Sequence, residues 1–157
     1  MKLIAHRGNI DGKIPEREND PRYLREAMEA GYDVETDLWV VNDELFLGHN
    51  EPQFSLGMPQ SDMWFNFLFK YNNSMWLHCK NLEALGKLYL YSDLNLFWHD
   101  KDDVILTTKR WLWTFPNKPL WPGSICVLPE RGINGDIEKC WGICSDFPAK
   151  YQYLNKK

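Results

Sequence analysis

The chain has 157 residues, of which 44% are hydrophobic and 25% charged, which favours one domain over residues 1–157 and is too short to expect two. The formal net charge is −4 and the 18 lysines and arginines are scattered, so the composition argues against nucleic acid as a main partner. No apolar run reaches the roughly 18 residues that span a bilayer, and no secretory leader is evident, which predicts a cytoplasmic protein without a transmembrane segment.

The first predicted elements alternate between strand and helix. The segment "LIAH" is a predicted strand, and "PRYLREAMEAGY" is a predicted helix with Asp20 as its N-cap. The next apolar run, "DVETDLWVV", predicts a second strand, and "NDELFLGH" returns after an Asn-Asp turn as its hairpin partner.

The second half of the chain contains shorter predicted elements. "SDMWFNFLFKY" predicts a helix, "MWLHCK" a strand, and "NLEALGKLYLY" a helix from its leucine spacing. Five short predicted strands follow: "LNLFWHD", "DVILTT", "RWLWTF", "SICVLPE" and "WGICSDFP". Strands that alternate with helices favour parallel pairing, although the helices between the last strands have little room.

The four histidines fall at the ends of separate predicted strands. His6, His78 and His99 follow apolar runs, and His49 ends the hairpin strand. In a parallel barrel, the C-terminal ends of the strands converge on one rim, where catalytic groups lie. This pattern predicts that all four imidazoles surround a single site.

Two carboxylates on the second strand point to a metal ion. Side chains alternate along a strand, so Glu35 and Asp37 share one face and lie about 6–7 Å apart. Such a pair is costly at a barrel mouth unless a cation lies between them, and divalent cations take oxygen ligands. The alternative is a solvated face of an edge strand. The same alternation places His78 and Lys80 on one face.

These motifs together resemble the glycerophosphodiester phosphodiesterase family. The segments "IAHRGN", "ENDP" and "AGYDVETDLWVVNDELFLGHNEP" match its His-Arg-Gly, Glu-Asn, Glu-x-Asp and second-histidine pattern. "LHCK", "WLWTF" and "GICSDFP" resemble its later strands in the same order. The resemblance is strong over residues 3–52 and looser over residues 76–148.

The resemblance implies a fold and an activity. The fold would be α/β, a compact (β/α)8 TIM-type barrel with several helices shortened or missing, because such barrels normally take about 250 residues. A homodimer would cover the bare strands. The activity would be metal-dependent hydrolysis of a glycerophosphodiester-like, other small or lipid-derived phosphodiester, with formation of a cyclic phosphate as a variant that the sequence leaves open.

The resemblance also implies roles for single residues. His6 and His49 would be the general acid and base, and Arg7 would bind the phosphate. One divalent cation, whether Mg²⁺, Mn²⁺ or Ca²⁺, would be held by three carboxylates: Glu18, Glu35 and Asp37. In the loop "KIPEREND", Glu16 is the alternative to Glu18.

Several residues remain open to more than one interpretation. His78 stands where the family has an acidic ligand, so it is a metal ligand, a donor to the phosphate or a structural residue. Lys80 either binds the substrate phosphate or pairs with Glu35. Asn19, from the Glu-Asn pair, and His99, from its position alone, are further candidates for substrate binding.

The main alternative is a catalytically silent phosphate-binding or interaction protein on the same fold, and His78 in place of a carboxylate is the feature that supports it.

The four cysteines are predicted to be reduced core residues. Pairing of Cys140 with Cys144, or a metal between them, is the alternative for those two.

Overall fold

A computed structural model describes residues 1–58 and 66–155 and contains one curled, mixed sheet of ten strands. The strands are β1 (Lys2–His6), β2 (Asp33–Val41), β3 (Glu44–Leu47), β4 (Phe54–Gly57), β5 (Met75–Cys79), β6 (Leu96–Phe97), β7 (Val104–Leu106), β8 (Leu112–Thr114), β9 (Ser124–Val127) and β10 (Gly142–Ser145). The α-helices with defined bounds are α1 (Pro21–Glu29) and α2 (Leu82–Leu88). Short 3₁₀ turns cover Asn72–Ser74, Pro129–Arg131, Ile137–Lys139 and Pro148–Asn155.

Most of the sheet is parallel. The order β6-β5-β2-β1-β10-β9-β8 contains only parallel neighbours. Strand β3 pairs antiparallel with the second half of β2 and continues the sheet to β4, while β7 pairs antiparallel with β8. The C-terminal ends of the parallel strands therefore lie at one edge of the sheet.

The prediction of a (β/α)8 TIM-type barrel is wrong, because the sheet is a curled half-barrel with antiparallel additions. Among the described residues, no ladder joins β6 to β8, although Thr108 N–H donates to Leu96 O at 2.9 Å between them. The β7–β8 connection is too short for a helical crossover, which needs a dozen or more residues, so this pair forms a hairpin. Loops and 3₁₀ turns replace helices between the last strands.

Local predictions in the first half are confirmed. Strand β2 and the β2–β3 hairpin form as expected, and the Asp20 side chain caps α1 by accepting from Arg22 N–H at 2.8 Å. Strand β4 was not predicted. The later strands exist but are shorter than the apolar runs suggest. The predicted helix "SDMWFNFLFKY" falls partly on residues 59–65, outside the described residues.

The two faces of the sheet carry different cores. The outer face packs under α1 and α2 and includes Val34, Leu38 and Leu77. The inner face is rich in aromatic rings and includes Trp76 and Trp113. Alternation along β1, β2 and β5 continues this inner face into polar side chains near the strand ends, so the fold delivers them to the mouth of the half-barrel.

Two further expectations concern the surroundings of the protein. In residues 1–58 and 66–155, no helix is both long and apolar enough to cross a bilayer. Val104 and Leu106 on the edge strand β7 are exposed, at 40% and 62%. The homodimer that would cover bare strands stays a prediction.

The cysteines generate the first testable prediction. All four are free and buried, as predicted, and burial raises the pKa of Cys79 and of Cys126 to about 12. Because the thiolate is the reactive form, we expect alkylation of the native protein to be slower than that of the urea-unfolded chain by on the order of a hundredfold. Mass spectrometry after iodoacetamide treatment measures this, and rapid modification of any native cysteine would contradict it.

Candidate functional site

The site forms where β1, β2 and β5 end side by side. The parallel register pairs His6 with Glu35, and Asp37 with His78. All four side chains are buried, and they belong to the inner face of the half-barrel. The predicted strand-end cluster is therefore brought together by three adjacent parallel strands.

A cavity of about 520 Å³ opens beside this cluster. Six of the predicted site residues line it: His6, Arg7, His49, His78, Lys80 and His99. We call these six residues the polar wall. Glu35, Asp37 and Asn19 are buried beneath it, with exposures of 3%, 0% and 1%.

Asp37 is the centre of the polar network. Its Oδ2 lies 2.9 Å from Arg7 Nε and 3.1 Å from His49 Nδ1. Its Oδ1 lies 3.0 Å from His78 Nδ1 and 3.4 Å from Lys80 Nζ. Burial alone would raise the pKa of Asp37, but the hydrogen bond from His49, the close contact of His78 and the charge of Arg7 hold this pKa well below its usual range.

Glu35 has the opposite tendency. Burial, followed by the charge of Asp37, raises the pKa of Glu35. Its Oε2 lies 3.9 Å from His6 Nε2 and accepts a long bond of 3.3 Å from Arg7 N–H, and its Oε1 lies 3.9 Å from His78 Nδ1. The negative charge of Glu35 is thus less well compensated than that of Asp37, and Glu35 is the more easily protonated of the two residues.

Glu35, Asp37 and His78 could together hold a metal ion. One ligand atom from each lies within 4.8 Å of the others, and all three residues are buried. The Oδ1 atom of Asp37 is buried without a well-directed hydrogen bond, despite its proximity to His78 and Lys80. Two carboxylates, one of which has an underused oxygen, and one imidazole fit a divalent cation.

Glu18 lies outside this group of three. Its Oε2 accepts from Arg7 Nη1 at 3.1 Å, and its Oε1 accepts from Asn9 Nδ2 at 2.9 Å. The remaining arginine nitrogen, Nη2, lies 2.7 Å from His49 Nδ1. Glu18 therefore orients the Arg7 guanidinium here, and its role as a metal ligand stays a prediction.

The backbone after β1 turns sharply to present Arg7. Arg7 itself adopts a φ of 53° and Gly8 a φ of 89°. A Cβ at position 8 would lie 2.9 Å from Cδ1 of Tyr23, so both the backbone conformation and the close packing of Tyr23 require glycine there. The "HRG" motif is thus a tight turn that aims the guanidinium at the cavity.

Asp146 is a site residue that the sequence analysis missed. Its Oδ1 lies 2.6 Å from His6 Nδ1 and accepts from Asn9 Nδ2 at 2.9 Å. Burial alone would raise the pKa of Asp146, but the hydrogen bonds from His6 and Asn9 outweigh it and lower this pKa to about 2. The usable signal was its position directly after β10, the same strand-end position that identified the histidines.

An ionised Asp146 determines how His6 works. The carboxylate accepts a hydrogen bond from His6 Nδ1–H, which leaves Nε2 as the nitrogen that faces Glu35 and the cavity. A carboxylate that orients an imidazole in this way is a common arrangement for a general acid or base.

Asn19 is placed differently from its predicted role. Its Oδ1 accepts from Asp37 N–H at 3.0 Å and from Thr36 Oγ1 at 2.8 Å, and its Nδ2 donates to Asp37 Oδ2 at 3.1 Å. The residue is buried and holds Asp37 in position beneath the cavity. Substrate contact by Asn19 stays a prediction for which this geometry offers no support.

The opposite side of the cavity is apolar and was also missed. Phe97, Trp113, Phe115, Val127 and Leu128 line it, and we call these five residues the apolar wall. They come from β6, β8 and β9 and from the residues that directly follow β8 and β9. The sequence shows these residues only as strand-forming runs, so nothing in it separates cavity lining from ordinary core.

Within the polar wall, His99 is in contact with the apolar wall. Its ring stacks on His78 at a centroid distance of 4.6 Å and lies 4.0 Å from Phe115. Burial, followed by the charges of His78 and Lys80, lowers the pKa of His99 to about 4. His99 is therefore neutral at physiological pH.

The second prediction tests the Asp146–His6 pair through stability. The folded-state pKa of Asp146, about 2, is below its ordinary value of 3.8, so its contribution is present above about pH 4 and is lost as the pH falls toward 2. We expect Asp146→Asn to lower the free energy of unfolding by about 2 kcal/mol at neutral pH, and this difference to shrink below pH 4. Urea denaturation over a pH series, with the exposed Asp93→Asn as control, checks it; a pH-independent difference would argue against it.

Comparisons with known proteins found no match that tests the resemblance. No protein-family model, curated protein or solved structure matches the chain. Membership in the glycerophosphodiester phosphodiesterase family stays a prediction from the sequence motifs, and the function rests on the chemistry of the site.

Proposed function

We propose that this protein is a metal-dependent phosphodiesterase that cleaves a small or lipid-derived phosphodiester by histidine acid–base catalysis. The observation that carries the proposal is His6, held by Asp146 at 2.6 Å on the wall of a cavity beside a carboxylate–imidazole group fit for a cation. The sequence motifs point to the same chemistry.

The charge of the cavity supports an anionic substrate. Four fixed cations line it, namely Arg7, Lys13, Lys80 and Arg131, and no aspartate or glutamate is among the described lining residues. This contrasts with the chain as a whole, whose formal net charge is −4. A phosphodiester gains negative charge in its transition state, which a guanidinium and ammonium groups stabilise electrostatically.

The two histidines would move the protons. During hydrolysis, water attacks phosphorus and one P–O ester bond breaks; one imidazole accepts the proton of the water and the other donates a proton to the leaving alkoxide. His6 Nε2 faces the cavity because Asp146 holds Nδ1. The His49 side chain is 40% exposed, so water reaches its ring.

Glu35, Asp37 and His78 would hold the divalent cation. When bound, such an ion neutralises charge on the phosphoryl oxygens and acts as a Lewis acid. Because one ligand is an imidazole nitrogen, the site suits Mn²⁺ better than Ca²⁺, with Mg²⁺ as the remaining candidate. Asn19 positions Asp37 from below, and Lys80 reaches both Asp37 and the cavity.

One observation favours the alternative of a catalytically silent phosphate-binding protein. The charge of Asp37 already has Arg7 at 2.9 Å and Lys80 at 3.4 Å, so the carboxylate is compensated by the protein's own cations. Hydrolysis of a chromogenic phosphodiester, with and without chelator, separates the two functions. The silent protein would bind phosphate but show no turnover with any divalent ion.

The third prediction concerns acid–base catalysis. We expect His6→Ala and His49→Ala each to lower kcat by on the order of a hundredfold or more, since each removes a proton-transfer group. Asp146→Asn, as a positioning change, should lower kcat, leave KM nearly unchanged and alter the pH profile of kcat. Steady-state kinetics on variants with native circular dichroism measures these effects. Wild-type kcat in both histidine variants would remove the histidines from the mechanism.

The fourth prediction concerns the metal. A cation that binds only the folded protein raises its melting temperature, so Mn²⁺ should stabilise the wild type more than Ca²⁺ does. His78→Ala should weaken this shift, and Glu35→Gln combined with Asp37→Asn should abolish it. Differential scanning fluorimetry measures the shifts, with the exposed Glu29→Gln as control.

A shift that persists in the double variant would place the metal elsewhere. Glu18→Gln decides whether Glu18 is a ligand as well. If Glu18 interacts with Arg7 and not with the metal, this variant keeps the preference for Mn²⁺ over Ca²⁺.

A further inference from the structure

The cavity lining changes from polar to apolar side chains along the sheet. The polar wall comes mainly from β1, β5 and the loop after β3, whereas the apolar wall comes from β6, β8 and β9 and their ends. A ligand whose phosphate contacts the polar wall therefore extends one of its substituents toward the apolar wall. The volume, about 520 Å³, suits a small molecule.

The apolar wall is built from rings in mutual contact. The Phe97 and Trp113 rings are 4.7 Å apart between centroids, and Phe97 stacks nearly parallel on His78 at 5.0 Å. Phe115 lies 4.0 Å from His99 and is only partly buried. The rings are held by their neighbours, so a ligand ring would meet a preformed surface.

The same surface is unsuited to a polyol. Among the described lining residues, no serine, threonine, glutamine or carboxylate is present, and the single amide, Asn50, is exposed beside His49. The charged lining donors outside the polar wall are the exposed cations Lys13 and Arg131. Hydroxyl groups directed at the apolar wall would lose water without gaining hydrogen-bond partners, which is unfavourable. A glycerol substituent therefore fits this wall poorly.

We infer that one ester arm of the substrate is a compact apolar group that carries an aromatic ring, and that Phe115 is the main residue that selects it. This inference rests on the proposed function, because it assumes that the polar wall binds the phosphate. It narrows what the sequence resemblance implies, a glycerophosphodiester-like, other small or lipid-derived phosphodiester, by disfavouring a glycerol arm.

Binding of two phosphate monoesters with the same charge tests the inference without any turnover. Phenethyl phosphate and glycerol phosphate are titrated into the Mn²⁺-loaded protein by isothermal calorimetry. We expect phenethyl phosphate to bind about tenfold more tightly or better, as burial of one aromatic ring allows. Phe115→Ala should remove this preference by weakening the binding of phenethyl phosphate far more than that of glycerol phosphate.

The control variant is Phe54→Ala, a partly buried ring that packs against the outer core and should retain the preference. If Phe115→Ala does not fold, Phe115→Leu replaces it, and the comparison of ligands on the wild type stands by itself. Equal binding of the two ligands, or tighter binding of glycerol phosphate, would overturn the inference.

Turnover separates this inference from the proposed function. Phenethyl methyl phosphate and glyceryl methyl phosphate are compared as diesters, since both release unactivated alcohols. A ring preference in binding without hydrolysis of either diester supports the inference and refutes catalysis. Hydrolysis of both diesters at equal efficiency refutes the inference and leaves the phosphodiesterase intact, and absence of binding by either monoester refutes both.

Discussion

The buried charge of Asp37 is the constraint around which the site is arranged. An ionised carboxylate with no exposure to water is very unfavourable unless cations and hydrogen-bond donors surround it. Its partners come from separate places in the chain: the turn after β1, the loop before α1, the end of the β2–β3 hairpin and the end of β5. Neutralising one carboxylate therefore fixes four segments relative to one another.

This arrangement explains why the neighbouring carboxylate differs. Compensating groups converge on Asp37, whereas the contacts of Glu35 among the described residues are distant imidazoles and one long backbone hydrogen bond. The two carboxylates, which share a strand face, are thus pushed in opposite directions by their surroundings. A divalent cation would compensate mainly Glu35, and at Asp37 it would share Oδ1 with Lys80, whose Nζ lies 3.4 Å away.

Much of the polar wall and the two carboxylates beneath it were predictable from the sequence, because strand alternation and the common edge of parallel strands are local rules. Glu35, Asp37 and His78 follow from these rules alone, and the structure brings them within ligand distance of one another. Asp146 also lies at a strand end, but no second carboxylate alternates with it along the strand, so no pair of acidic residues identifies it. The apolar wall and the open sheet depend on how β6, β7 and β8 are arranged. These strands are short and are separated by few residues, so their sequence does not predict that arrangement.

The contacts of Arg7 compensate the buried charge of Asp37 and still leave guanidinium hydrogens that can bind a ligand. Its Nε lies beside Asp37, one Nη1 hydrogen is donated to Glu18, and Nη2 contacts His49. Each Nη nitrogen carries a second hydrogen, and the side chain lines the cavity with 14% of its area exposed. A phosphate oxygen is therefore able to accept from the guanidinium while both carboxylate pairs remain in place. The carboxylates restrict the rotation of the planar guanidinium, so less entropy is lost when the phosphate binds. Asp37 and Glu18 thus orient the cation toward the cavity, and they leave part of its donor capacity for the substrate.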